Sequence, residues 1–326
     1  MSYEKELESF SIESLHDTDV DEWLYLADSD ITTVAYVLGI DPHYLAVQVR
    51  LHLPFYDPKE IEKRGSLSII REILHRISGS LDDIANVQKM HSNLNGAFSF
   101  TEETIVENVG SQIRVGSKSE GWLDAHWDRI PAHFGESIQC DLHYIHSART
   151  DTILHAGLVL SDYVAPFCYA SFSNLDREYL DNALTHAASF LDFGEHYNVA
   201  VMTRAYGYMP APKNAMSKLF DLSGKVLQHE GYDMVITALN PFLGFRGSVF
   251  TGSSFKPFAT SPMKYRYDNE GNYVTRRKTG TGGYNQRMKT PPIVWYMKPL
   301  TRQLRRKLEM KHMSVYNISD EEYLRG

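Results

Sequence analysis

The stretch that most constrains this chain is Arg204–Phe255, RAYGYMPAPKNAMSKLFDLSGKVLQHEGYDMVITALNPFLGFRGSVFTGSSF. Its apolar and polar positions alternate between strand and helix periods, which predicts a strand at Val199–Tyr206, a helix at Asn214–Glu230, a strand at Asp233–Leu239 and a short helix at Gly247–Phe255. Such a run folds as part of an α/β layer. The first backbone N–H groups of a helix have no internal acceptor, so a helix opening directly after a strand can hold an anion.

The flanks extend the same class. Upstream, Ile138–Ile145, Thr152–Leu160 and Val164–Phe172 read as strands and Asp176–Phe193 as a helix; downstream, Met263–Arg266, Tyr273–Arg277 and Ile293–Lys298 read as basic, tyrosine-rich strands. The Gly-rich loop Lys278–Gly283 lacks the GxxxxGK[ST] spacing of a phosphate-binding loop. The N-terminal part has a helical period instead. In Asp30–Leu53, the spacing of Ala35, Gly39 and Leu45 lets two helices cross at a tight turn, with Asp41-Pro42 starting the second. That helix carries His43, Gln48 and Arg50 among its polar positions, and Arg50 is the candidate DNA contact; many helical hairpins share the spacing without touching DNA. Asp57–Gly79 is amphipathic, Ser80–Asn95 a weaker helix, and from Gly96 short β-like pieces (Gly96–Phe100, Gln112–Val115) surround a loop holding Trp122 and Trp127. The expected division is an acidic lead (1–30), a mainly helical region (31–130), an α/β domain (131–300) and a basic tail (301–326).

Composition narrows the function classes. At 326 residues with 43% hydrophobic and 23% charged content, the chain can bury a full core. No apolar run approaches the roughly 20 residues that span a bilayer, and the acidic N-terminus has no secretory apolar core. Two isolated cysteines, Cys140 and Cys168, form neither a disulfide framework nor a CxxC site, which suits a reducing cytoplasm. Net charge is −8, yet Lys256–Lys311 holds fourteen Lys and Arg against three acids, so +11 there leaves −19 elsewhere. That asymmetry fits either a polyanionic partner or a solvated basic face docking the acidic lead. No HExxH or Cys/His quartet suggests a metal, and Ser217 with His229 lacks the nucleophile elbow of a hydrolase.

The order of elements resembles the GNAT superfamily of acyl-CoA N-acyltransferases over roughly residues 137–300. More narrowly, RAYGYMPAPKNAMSKLF, ITALNPFLGFRGSVFTGSSF and KYRYDNEGNYVTRR resemble its Mom-like DNA-modification branch, known from bacteriophages. The resemblance implies a GNAT-like mixed sheet (an α/β, α+β fold), an acyl-CoA or related acyl donor, and an exocyclic nucleobase amine, plausibly adenine N6 in DNA, as acceptor. It places the pyrophosphate at Pro212, Lys213, Asn214, Ala215 and Met216. The superfamily's R/Q-x-x-G-x-G/A loop is missing; Arg204-Ala205-Tyr206-Gly207 imitates its first half, but on the strand.

Arg204 and Asn240 sit at the ends of the two central strands, where α/β sites collect. Arg204 either holds an acyl or phosphate oxygen or serves a structural ion pair, and Asn240 would orient an amine or a carbonyl. The position of the family's hydroxyl acid falls at Phe250, so Ser248, Ser253 or Tyr265 would replace it, or no acid is needed because a thiolate is already a tolerable leaving group. Tyr273, Arg276, Arg277 and Lys278 interleave aromatics with charge, suiting either bases and phosphates or ordinary cross-strand pairs. Two other classes stay open: a DNA-binding regulator with a ligand-sensing α/β domain, and a GNAT acetylating a small-molecule or protein amine.

Overall fold

The computed structural model describes residues 20–77, 98, 100–145, 147–174, 197–208, 211–261, 263, 265–274, 287 and 290–310. Several expectations lie outside them: the helices at Ser80–Asn95 and Asp176–Phe193, the loop Lys278–Gly283, and Arg276, Arg277 and Lys278.

Helices α1 (Val20–Leu38) and α2 (Pro42–His52) meet at Gly39, whose φ of +65° is the left-handed value that favours glycine. The Asp41 side chain caps α2 by accepting from the His43 N–H at 2.9 Å, and Pro42 supplies the pre-set φ. Ala35 and Leu45 are fully buried at this crossing, as the spacing requires. A short 3₁₀ turn (Leu53–Phe55) leads to α3 (Pro58–Lys63) and α4 (Ser66–Ile77). The apolar stripe of α4, Ile69, Ile70, Ile73 and Ile77, joins Ile31, Leu45 and Val49 in a core belonging to this helical unit.

The remaining elements build one nine-stranded sheet: β1 (Ile105–Val109), β2 (Gln112–Ser117), β3 (Gly121–Arg129), β4 (Thr152–Leu160), β5 (Pro166–Asn174), β6 (Val199–Gly207), β7 (Met234–Leu239), β8 (Lys256–Ser261) and β9 (Ile293–Pro299). Their order is β1-β2-β3-β4-β5-β6-β7-β9-β8, and every neighbouring pair is antiparallel except β6 with β7. A parallel pair needs a crossover. Helix α6 (Ala215–His229) supplies it, burying Leu219, Phe220, Ser223 and Leu227 against the sheet. Between β3 and β4 lie α5 (Ala132–Ser137) and a π-helical turn (Ile138–Leu142); α7 (Ser248–Gly252) follows β7, and α8 (Arg302–Met310) follows β9. The mixed sheet with flanking helices and a helical N-terminal region is the expected class.

Four local expectations are corrected. Ile138–Ile145 is not a strand: Ile138 and Leu142 face the core from the π turn, an apolar spacing that period two also fits. Trp122 and Trp127 lie on β3, not in a loop, and Trp127 donates its indole N–H to Ser223 of α6 at 3.0 Å. Among the described residues of 263–274 there is a single antiparallel bridge, Tyr267 with Tyr273, and no strand. The edge strand at Lys256–Ser261 is extra; Pro257 disguises it, and edges are where a sheet tolerates proline.

Candidate active site

The central parallel pair comes apart. β6 and β7 pair only through Val199, Ala200 and Val201 against Met234, Val235 and Ile236. The Thr237 hydroxyl then donates to the Met202 carbonyl at 3.0 Å, closing the joint. Beyond it β6 runs on beside β5 to Gly207, and β7 runs on beside β9 to Leu239. No ladder joins Thr203–Gly207 to Ala238–Leu239 among the described residues.

Local sequence causes this divergence. In the β5–β6 register Ser171 opposes Arg204 and Phe172 opposes Met202, so Thr203 is an inserted residue. Such a bulge bends its strand, sharpens the twist and re-aims side chains. Asn240-Pro241 ends β7: the Asn240 carboxamide oxygen accepts from Phe242 N–H at 3.2 Å, starting a 3₁₀ turn (Pro241–Leu243). The result is a wedge at the carboxyl ends of two parallel strands, where ligands of open α/β sheets bind.

The start of α6 sits at the wedge mouth. Lys213 is clasped by β1 on its backbone side, its N–H donating to Thr104 at 2.9 Å and its carbonyl accepting from Val106 at 2.8 Å. Asn214 is left-handed, with φ 67°, and begins the helix without a side-chain cap. Met216 and Ser217 lie in the first turn, where N–H groups have no helical acceptor. Pro212 and Ala215 are buried and the Lys213 and Asn214 side chains face solvent, so the five residues assigned to the phosphates form one contiguous turn.

On the other side, Asn240 donates from Nδ2 to the Tyr265 hydroxyl at 2.5 Å. Burial raises the Tyr265 phenol well above its usual range, so it stays protonated. Arg204 donates to the carbonyls of Thr203 (2.7 Å) and Ser147 (3.3 Å). Its charge reaches Tyr144, whose phenol is raised by burial and lowered by Arg204. Tyr144 and Tyr273 in turn both act on Tyr265. Asn240 and Tyr265 are therefore bonded to each other, and Arg204 is linked to them only through its charge on Tyr144. Ser248 does not join them: it is exposed on α7 and its carbonyl accepts from Thr251. Phe250 is core, stacked 5.8 Å from Phe220 and tilted on Tyr296.

The helical unit covers these groups. Arg50 donates to the Phe242 carbonyl at 2.8 Å, and its guanidinium passes over Gly244, whose φ of +83° and missing side chain accommodate it. Gln48 is buried and donates to the Tyr144 carbonyl at 3.3 Å. Tyr267 donates to the Leu51 carbonyl at 2.7 Å, and Val47 and Leu51 pack on Phe242, Leu243, Tyr265 and Tyr267. Buried His52 bonds Gln48 carbonyl through Nδ1 (2.8 Å) and takes the Tyr273 N–H at Nε2 (3.3 Å), which fixes a neutral ring. Burial lowers its pKa from 6.5 to about 4. Tyr273 is thus half-buried.

Sequence reasoning passed over Tyr144 and His52, and named Gln48 only as a polar position of its helix. It also passed over Thr203 and Thr237, and the hydroxyls of β4–β6. The available signal was polar residues interrupting apolar strands, His155 in TILHAGLVL and Tyr169 in PFCYASFSN.

No family model and no curated protein sequence matches this chain. Two solved structures are similar in fold trace. One is a chain of the NatC complex bound to Gag peptide and CoA, with 10% identity, a TM-score of 0.31, and coverage of 54% of this chain and 99% of that one. The other is FeeM, an N-acyl amino acid synthase from uncultured soil microbes, with 11% identity, a TM-score of 0.31, and coverage of 51% and 76%.

Proposed function

We propose that this protein is an N-acyltransferase that takes an acyl-CoA-type donor in the β6–β7 wedge and passes the acyl group to an amine. The wedge is the observation that supports it. An extended thioester arm can pair with the open backbone edge of β6 as a strand would. The start of α6 then meets the donor's phosphates with free N–H groups, the helix dipole and Lys213.

The acyl carbonyl, at the inner end of the arm, falls beside Arg204 and the Asn240–Tyr265 pair. These groups stabilise the oxyanion of the tetrahedral intermediate, because donors fixed in a water-poor site need no reorganisation. As the intermediate collapses, the C–S bond breaks and the thiolate leaves. In this reading the amine nitrogen bonds the carbonyl carbon to form that intermediate, and on its collapse protonated Tyr265 gives the thiolate its proton and takes one back from the acylated nitrogen. A nucleobase amine as acceptor is what the resemblance to the Mom-like branch implies, and the basic, tyrosine-bearing C-terminal third is compatible with it.

The test is thiol release from acyl-CoAs of increasing chain length, with amino acids, a peptide N-terminus and double- and single-stranded DNA as acceptors. Amine-dependent release with mass gain on one acceptor supports the proposal. No acyl-CoA binding and no release would overturn it.

A further inference from the structure

One glutamine ties the two ends of a loop together. Gln139 lies in the π turn between α5 and β4, in the run IQCDL, and is fully buried. A buried carboxamide is costly unless its polar atoms are paired. Here both ends are: the Arg149 N–H donates to Oε1 at 2.9 Å, and Nε2 donates to the Tyr169 hydroxyl of β5 at 2.8 Å. The same hydroxyl lies 2.5 Å from His155 Nδ1 of β4. Helix α5 can sit this close to β4 because residue 135 is glycine; a Cβ there would lie 2.2 Å from His155 Nδ1.

Arg149 is the fixed point at the far end. Its N–H goes to Gln139, its carbonyl accepts from the Thr152 hydroxyl at 3.0 Å, and its guanidinium forks onto Asp151 at 2.8 and 2.5 Å. Gln139 therefore closes the chain from 139 to 149 into a loop whose base is pinned to β5. Two carbonyls of that loop accept from long side chains: Tyr144 from Gln48 of α2 at 3.3 Å, and Ser147 from Arg204 Nη2 at 3.3 Å. The Arg204 guanidinium is thus held between its own strand, through the Thr203 carbonyl at 2.7 Å, and this loop. His143 Nδ1 accepts from the Ile145 N–H at 3.3 Å and its ring stacks 4.4 Å from Tyr144. Those two contacts stay within the loop, so they shape it without fixing it to the sheet.

We infer that Gln139 is a positioning residue for acyl transfer: by holding Arg149 and Tyr169 together, it fixes the loop whose Ser147 carbonyl aims Arg204 at the acyl oxygen. This rests on the acyl-transfer reading. A guanidinium stabilises a developing oxyanion only from the right place, and a displacement of about 1 Å costs up to about 100-fold in rate. An arginine side chain also has much rotamer freedom to lose. Carbonyls that already hold it before substrate arrives make that ordering part of the fold. Gln139 is fully buried, so it acts on the reaction through Arg204 and not by meeting the substrate.

The chemistry of the position separates three substitutions. Leucine at 139 fills a similar volume and makes neither bond, which leaves the Arg149 N–H and the loop base without their anchor. Glutamate keeps the acceptor for the Arg149 N–H, and the Tyr169 hydroxyl can turn its own proton toward it. Phenylalanine at 169 keeps the ring in the core and removes the oxygen to which Gln139 donates.

A double-mutant cycle on the full chain, with a productive acyl-CoA and amine, tests this role. Gln139→Leu should lower kcat about tenfold with acyl-CoA affinity near wild type, and Gln139→Glu should recover most of the loss. In an Arg204→Ala background Gln139→Leu should lower kcat no further, because its route to the reaction is gone. Tyr169→Phe cuts the same anchor and carries the cycle, with the same expectations, should Gln139→Leu not fold. A loss that repeats in full in the Arg204→Ala background, or an unchanged kcat in the folded single variants, overturns the inference while acyl transfer stands. A wild-type protein that turns over no acyl-CoA fails the enzyme reading and takes this role of Gln139 with it.

Discussion

Two seams meet at the carboxyl ends of β6 and β7, and they are built on opposite principles. The seam between the helical unit and the sheet is closed: Arg50, Gln48, His52 and Tyr267 each reach a backbone group across it, over Val47 and Leu51. The seam between β6 and β7 is open: pairing stops after three residues, and α6 begins beside the end of β6, with Met216 next to Gly207. Buried polar groups normally find partners. A seam that satisfies them internally holds the molecule together, whereas one that leaves them facing a gap is prepared for something else.

The largest effect should come from breaking the closed seam. Leu51 is 1% exposed, and Leu51→Ala should cost about 2–5 kcal/mol by leaving a cavity against Phe242 and Tyr267. Denaturant midpoints read this directly; a change under about 0.5 kcal/mol would mean the seam is loose. Breaking the open seam should leave stability alone and remove activity. Arg204→Ala should lower kcat/KM about 100-fold, or about 2.7 kcal/mol, with acyl-CoA affinity nearly unchanged. Loss of affinity with intact turnover would place Arg204 outside the chemistry.

The closed seam should also be acid-labile. His52 titrates near 6.5 unfolded and about 4 folded, so between these values the unfolded chain binds more protons. Stability is then full above pH 6.5 and falls as pH drops toward 4, by about 3 kcal/mol for a shift of this size. Burial of His155 adds to the same trend. Urea midpoints at pH 7, 5.5 and 4.5 should fall in order, and less steeply in His52→Asn. The smallest effect belongs to the wedge mouth: Lys213→Ala should weaken donor binding only a few-fold, since an exposed charge at a helix start contributes about 0.3–1 kcal/mol, and the loss should shrink at high salt.

The same contrast governs how far the sequence could be read. β4, β6, α6 and β7 were legible within a residue or two, because apolar runs there are bounded by turn residues and switch cleanly between periods. The turn at Gly39 and the Asp41 cap were legible for the same local reason. What α2 packs against was not: His43, Gln48 and Arg50 look alike as polar letters, yet Gln48 is buried and Arg50 is bonded to Phe242, 192 residues away. The splay itself depends on a one-residue excess in β6 relative to β5, which strand periodicity does not mark. Among the candidate site residues, Asn240 and Tyr265 bond each other, while Arg204 reaches the Ser147 carbonyl and, through its charge, Tyr144, in a segment that reads as a strand and is not one. Ser248 was chosen for its hydroxyl, and tertiary packing leaves it on the surface.

Amide hydrogen exchange with and without a non-hydrolysable acyl-CoA analogue tests the central claim most directly. An occupied wedge predicts new protection confined to Thr203–Gly207 and to Met216 and Ser217, with the seam around Leu51 already protected in both states. Saturating ligand with no protection in those segments, or protection elsewhere alone, would contradict a donor site between β6 and β7.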